Sequence, residues 1–224
     1  MRINHNFVIG PTDTDSISFC KNDYSVISKE EQQNLIKELN SISPEFMLWA
    51  FDGYFPSVIC LKAKNYITYD GSKIKIKGSG LRDTKREAAL REMISKVIDC
   101  LLFEKTNLID IYNQYIKEAM NVTDIKRWAA KKTITASVLD PQRTNEQKVL
   151  DALKDTEYSE GDKRWFFFME DDSLCLVERF NGSYDKMRLV EKVYKTMSIF
   201  SSVIDMSQFP KYHLKKNQSL LEAL

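Results

Sequence analysis

Apolar and polar residues along this 224-residue chain alternate with one period in the first third and with another afterwards. Near the start, the β-rich runs NFVI and SISF flank Gly10-Pro11-Thr12-Asp13, a pattern that predicts a hairpin turning at those four residues. Ser28 followed by Glu31 predicts a capped helix running through Asn40. YFPSVICLKAKNYITY and SKIKIKG then alternate with period two, joined at Asp70-Gly71, a strong hairpin turn. From Asp83 the period lengthens: Leu90, Met93, Ile94, Val97, Ile98, Leu101 and Leu102 recur at helical spacing, with Thr84 and Glu87 in capping-box positions. A second helix is predicted from Asn107, with Leu108, Ile111, Tyr112, Tyr115 and Ile116 on one face, and a short third over 145–153. RWFFFM and LCLVERF around the polar turn 170–173 predict another hairpin, and a last helical stripe runs from Asp185 to Met206. The fold class is α+β, with antiparallel hairpins and a helix up to Arg82 and a mostly helical region with one small hairpin from 83 to 224.

Composition narrows the function classes. Hydrophobic residues make up 43% and charged residues 29%, ordinary values for a globular protein and far from those of a disordered chain. No apolar run approaches the roughly 18 residues of a membrane span, and MRINHN lacks the apolar stretch of a signal peptide, so an intracellular, cytoplasmic location with no membrane partner is expected. Cys20, Cys60, Cys100 and Cys175 are far apart, with only His5 and His213 to assist them. That pattern suggests neither a zinc site nor a disulfide framework, and it disfavours nucleophilic triads that need a histidine base. The net charge is +1, but 62–91 holds nine basic residues against three acidic ones. Such a local excess points to a polyanionic ligand.

Two clusters carry candidate chemistry. Asp13 and Asp15, two apart on an extended strand, would share a face at a spacing of roughly 6.6 Å, and hard carboxylate oxygens suit Mg²⁺. A calcium loop starting at Asp13 is excluded, because its fifth, sixth and twelfth positions would be Ile17, Ser18 and Tyr24. The plainer reading of Asp-x-Asp-Ser is a structural turn. Lys73, Lys75 and Lys77 alternate on SKIKIKG and would line one face; they suit either phosphate contact or protection of an edge strand from aggregation.

TDTDS (Thr12 to Ser16), KAKNY (Lys62 to Tyr66) and KIKGSGLR (Lys75 to Arg82), in this order and followed by a helical segment, resemble the C-terminal part of a family B DNA polymerase. The resemblance spans essentially the whole chain and implies that 1–82 is the C-terminal part of a palm and 83–224 a thumb. It implies Asp15 as a direct ligand of the catalytic Mg²⁺ ions, Asp13 as a residue shaping their environment, and Thr14 beside the nucleotide. Lys62, Lys64, Tyr66, Lys75, Lys77 and Arg82 would hold primer-template DNA. Ala63 and Asn65 depart from the family's basic residues, which would weaken that grip, and Pro11-Thr12 stand where a glycine is more usual. Asp52 is a further candidate carboxylate.

The family's D-x-x-S-L-Y-P-S and K-x-x-x-N-S-x-Y-G motifs and its exonuclease carboxylates do not occur in the sequence. A two-metal site needs more than one acidic corner. The resemblance therefore implies a small subunit of a split polymerase, or an excised fragment of one, active on dNTP and primer-template only with a larger partner bearing the exonuclease, the fingers and the rest of the palm. The Asn, Ile and Lys content leans toward a phage of a low-GC host. In the helical region KRWAAKK (Lys126, Arg127, Lys131 and Lys132 with Trp128) suits either duplex backbone contact or a basic helix with a core Trp. The aromatic run 165–168 reads as hairpin core rather than a stacking platform. QSLLEAL at the C-terminus faintly resembles a sliding-clamp peptide but lacks its aromatic pair, so a terminal helix is the better reading. The rival functions are a non-catalytic nucleic-acid-binding accessory protein and a nuclease using Asp13 and Asp15 for one metal.

Overall fold

The computed structural model describes residues 7–13 and 15–212, without the side chain of Asp13. Thr14 and the tail that carries Gln218, Leu221 and Leu224 lie outside the described residues. The chain is α+β and divides into two compact units, Met1–Arg82 and Asp83–Leu224.

In the first unit, β1 (Phe7–Asp13) and β2 (Ser16–Lys21) form an antiparallel hairpin. The turn lies between Asp13 and Ser16, beyond the Gly-Pro pair where the sequence placed it. Gly10 and Pro11 stay within β1 because the register shifts between Ile9 and Thr12. Proline is tolerated at such an irregularity, where no ladder hydrogen bond is demanded of it. Helix α1 (Lys29–Ile42) begins with the predicted capping box: the Ser28 hydroxyl accepts from the Glu31 N–H, and the Glu31 carboxylate accepts from the Ser28 N–H at 2.8 Å. Lys21 pairs with Glu31 at 2.7 Å; that ion pair and the Ser28 N–H hold the carboxyl down to about 2.

A three-stranded sheet follows, β3 (Ser57–Lys62), β4 (Asn65–Tyr69) and β5 (Ile74–Lys77), in the order β3-β4-β5. The long alternating run of the sequence therefore breaks at Ala63-Lys64, where Lys64 takes a left-handed conformation with φ 59°. At the second turn Gly71 has φ 94°, and the Asp70 carboxylate accepts from the N–H groups of Lys73 and Ser72 and from the Ser72 hydroxyl. These bonds, the Lys73 N–H first, hold its pKa down to about 2. Ile67, fully buried, is the centre of this sheet's inner face. A short helix, α2 (Ser79–Arg82), ends the unit.

In the second unit, α3 (Ala88–Phe103), α4 (Leu108–Met120) and α7 (Lys186–Met197) pack together through Met93 and Val97, Tyr112 and Tyr115, and Val193 and Met197. The Tyr112 hydroxyl donates to the Pro210 carbonyl at 2.6 Å, tying the chain's later turns to this core. A second sheet of β6 (Ala130–Thr133), β7 (Lys163–Phe168) and β8 (Leu174–Leu176) packs with α5 (Ala136–Leu139) and α6 (Thr144–Ala152). Ile134, Val149, Leu153, Phe166 and Leu176 form its core.

Three expectations for this unit are corrected. The Thr84–Glu87 capping box is absent: α3 starts at Ala88 with no side-chain cap, and the buried Glu87 carboxylate is paired with Lys192 of α7. A tertiary ion pair has taken the side chain that local capping would have used. KRWAAKK is not a helix, since a 3₁₀ turn (Ile125–Trp128) leads into β6, which pairs with β7. The last helix stops at Met197, where the Ser198 hydroxyl donates to the Lys195 carbonyl and Phe200, fully buried, draws the chain into 3₁₀ turns.

Candidate nucleic-acid interface and acidic turn

The lysine strand takes its geometry from its pairing. Tyr66 lies opposite Lys77 and Thr68 opposite Lys75, so both lysines share a sheet face with Tyr66. Lys73, Lys75 and Lys77 are exposed, while Ile74 and Ile76 between them turn toward the inner face and are partly buried. The Lys77 ammonium sits 6.0 Å from the centre of the Tyr66 ring, and the Lys75 ammonium 5.9 Å from that of Phe55. Aromatic support of this kind fixes a long side chain while leaving its charge in water. None of these three lysines is paired with a carboxylate among the described residues. Lys62 and Lys64 are exposed around the β3–β4 turn, and Arg82 is exposed at the end of α2.

The two basic motifs meet at one point that the sequence did not disclose. Gly78 has φ 114°, and a Cβ on it would stand 2.2 Å from Asn65 Oδ1 and 2.9 Å from Asn65 Cα. No other residue fits that approach. Asn65, a departure from the family's basic pattern, is thus a packing residue that joins the KAKNY turn to the KIKGSG strand; its amide also donates to the Ala63 carbonyl at 3.0 Å. The signal available in the sequence was the glycine directly after an alternating strand.

Asp15 is exposed at the β1–β2 turn and makes no hydrogen bond or ion pair with another described residue. It offers one hard-oxygen ligand. Among the described residues no three His, Cys, Asp or Glu side chains converge where a metal ion could be held. Asp52 is exposed.

In the second unit the four basic candidates separate. Arg127 is committed internally: Nε and Nη2 donate to Glu92 at 2.9 and 2.6 Å, and Nη1 to Glu118. Its role is to bind α3, α4 and the 3₁₀ turn together. Lys132 is half-buried, and burial first, then the charge of Lys192, lowers its pKa. Lys126 and Lys131 remain exposed, with their ammonium groups 4.8 and 5.4 Å from the centre of the half-buried Trp165 ring. Lys131 is the cross-strand partner of Trp165. Phe166 and Phe167 are core, as the sequence suggested for the aromatic run, but Trp165 is a surface support for two lysines.

Among the described residues no helix is long and apolar enough to cross a membrane. No family model matches the sequence, and no curated protein matches it significantly. The fold does have a counterpart among solved structures. The family B DNA polymerase from the hyperthermophilic archaeon Pyrobaculum calidifontis superposes with a TM-score of 0.66 at 14% identity, over 88% of this chain and 27% of that one. The chain therefore has a fold similar to about a quarter of a family B DNA polymerase.

Proposed function

We propose that this chain is the palm-and-thumb part of a family B DNA-directed DNA polymerase, working as a small subunit whose catalytic site is completed by a larger polypeptide. The observation that carries this reading is the fold likeness over 88% of the chain to a polymerase of that family. It agrees with three motifs drawn from residues alone. In this reading Asp15 contributes one carboxylate to a pair of Mg²⁺ ions, Asp13 and Thr14 shape that corner, and the partner brings the remaining acid and the fingers. The reaction is in-line attack of a primer 3′-hydroxyl on the α-phosphate of a dNTP, with pyrophosphate leaving. Lys62, Lys64, Tyr66, Lys75, Lys77 and Arg82 hold the primer-template, with Lys126 and Lys131 as further contacts.

Primer extension tests this. The chain alone should incorporate no nucleotide, and adding the partner should restore synthesis. Asp15→Ala should lower the rate of the reconstituted complex by about 10³-fold or more while DNA affinity changes little. Synthesis by the lone chain would sink the split-site reading. The exposed lysines of the 73–77 strand support a second reading, a non-catalytic nucleic-acid-binding protein. In that case Asp15→Ala would be silent in every assay, and Lys75→Ala with Lys77→Ala would weaken DNA binding with a shallower salt dependence.

A further inference from the structure

In the second unit, the sheet face opposite Phe166 gathers three lysines around one indole. Lys131 lies directly across from Trp165 in the β6–β7 pairing, and Lys163, two residues before Trp165 on β7, shares its face. Lys126 reaches the same ring from the 3₁₀ turn, so that two ammonium groups stand 4.8 and 5.4 Å from its centre. All three lysines are exposed, and Trp165 is half-buried. None of the three is paired with a carboxylate among the described residues.

The acids nearest in sequence are engaged elsewhere. The Asp124 carboxylate accepts from the N–H groups of Lys126 and Arg127 at 3.0 and 3.3 Å, Asp162 is paired with Arg164 at 3.3 Å, and Glu160 accepts from the Ala136 N–H at 3.1 Å. The turn that bears Lys126 is itself fixed, because Asp124 caps it and the Arg127 guanidinium is held by Glu92 and Glu118. Backbone and ring together restrict the two ammonium groups while leaving their charge in water. Three like charges brought together without an acid repel one another, and a bound anion relieves that repulsion. Lysines are compact point charges that suit phosphate oxygens. The guanidinium forks that would match paired carboxylates, Arg127 and Arg164, are turned onto acids of the unit itself. The indole already carries two cations, so it serves as their seat and not as a platform for a base.

We infer that Trp165 is a positioning residue for nucleic-acid binding: it seats Lys126 and Lys131 beside Lys163, so that the three meet backbone phosphates without reading sequence. This rests on the reading of the chain as a DNA-binding part of a polymerase, and adds to it Lys163 as a contact and the indole as the element that orders the others. Ammonium groups placed in advance lower the ordering cost of binding, so loss of the ring weakens the complex although no charge is removed.

Titration of the full chain with a DNA duplex of mixed sequence, at several salt concentrations, tests the seat. The triple variant Lys126→Ala, Lys131→Ala and Lys163→Ala changes only exposed side chains, and it should flatten the plot of log affinity against log salt by about 0.9 per lysine removed. Trp165→Leu should keep the wild-type slope and bind about fivefold more weakly, while Trp165→Phe, which retains an aromatic face, should recover most of that loss. Leucine and phenylalanine both fill the site with apolar bulk, so equal behaviour of these two variants would reduce Trp165 to packing and overturn its positioning role. An unchanged salt slope in the triple variant would overturn the face as a phosphate contact; the DNA-binding reading would still stand if Lys75→Ala with Lys77→Ala weakened the same complex. Wild type without affinity for the duplex would overturn that reading itself. Displacement of the duplex by polyglutamate as readily as by unlabelled duplex would make the face a site for acidic peptides and overturn the inference.

Discussion

The two units handle their apolar residues in opposite ways. In the second, Tyr112, Tyr115, Phe166 and Phe200 are fully buried, and among the large hydrophobic side chains of its described residues only Leu139 and Val203 are notably exposed. In the first, Ile67 is the one large residue buried to that degree among the described residues, while Tyr24, Val26, Phe46 and Leu48 are each more than two-thirds in solvent. A helical unit closes on itself because α3, α4 and α7 each turn one stripe inward. Short hairpins with one long helix cannot do this. Two-stranded and three-stranded sheets have two faces and two edges, and one helix covers little of them. The lesson is that one of these units has an internally completed core and the other leaves large apolar side chains in solvent.

Substitutions can break that contrast. The largest expected effect is in the second unit, where Phe166→Ala should destabilise by about 3–5 kcal/mol, read by denaturant unfolding with Trp128 and Trp165 as fluorescence reporters. Phe46→Ala in the first unit should change stability by less than about 0.5 kcal/mol, although it removes an equally large ring. Equal losses at the two sites would erase the contrast. Gly78→Ala should cost on the order of 1–3 kcal/mol in the first unit, through its left-handed backbone and its collision with Asn65, and should loosen DNA binding with it. Hydrogen exchange of the β4 and β5 amides would locate that effect.

The smallest effect is acid sensitivity of the first unit. Glu31 and Asp70 have folded pKa values of about 2, against ordinary values of 4.5 and 3.8. A depressed carboxylate contributes stability that is fully present above its unfolded pKa and lost as pH falls toward the folded one. The α1 cap and the Asp70 turn should therefore hold unchanged from pH 8 to pH 5 and weaken between about pH 4.5 and pH 2. Both groups are exposed, so the loss should be modest and salt-dependent. Far-UV dichroism of Glu31→Gln with Asp70→Asn, flat across that window, checks the assignment.

Local chemistry, present in the residues themselves, determined the Ser28–Glu31 capping box, the Asp70-Gly71 turn, the Asn107 cap and the apolar stripes of α3, α4 and α7. Each depends on partners within a few positions, so spacing alone suffices. The alternation of Lys73, Lys75 and Lys77 was legible for the same reason. What the tertiary structure decided depends on partners far along the chain: Glu87 leaves its cap for Lys192, Arg127 leaves the solvent for Glu92 and Glu118, and the AKK end of KRWAAKK becomes a strand because β7 is there to pair with it. Asn65 and Gly78 belong together only once β4 and β5 are side by side. Short-range order is written in neighbours, whereas the fate of a charge or an edge strand is set by whichever distant group folding brings within about 3 Å of it.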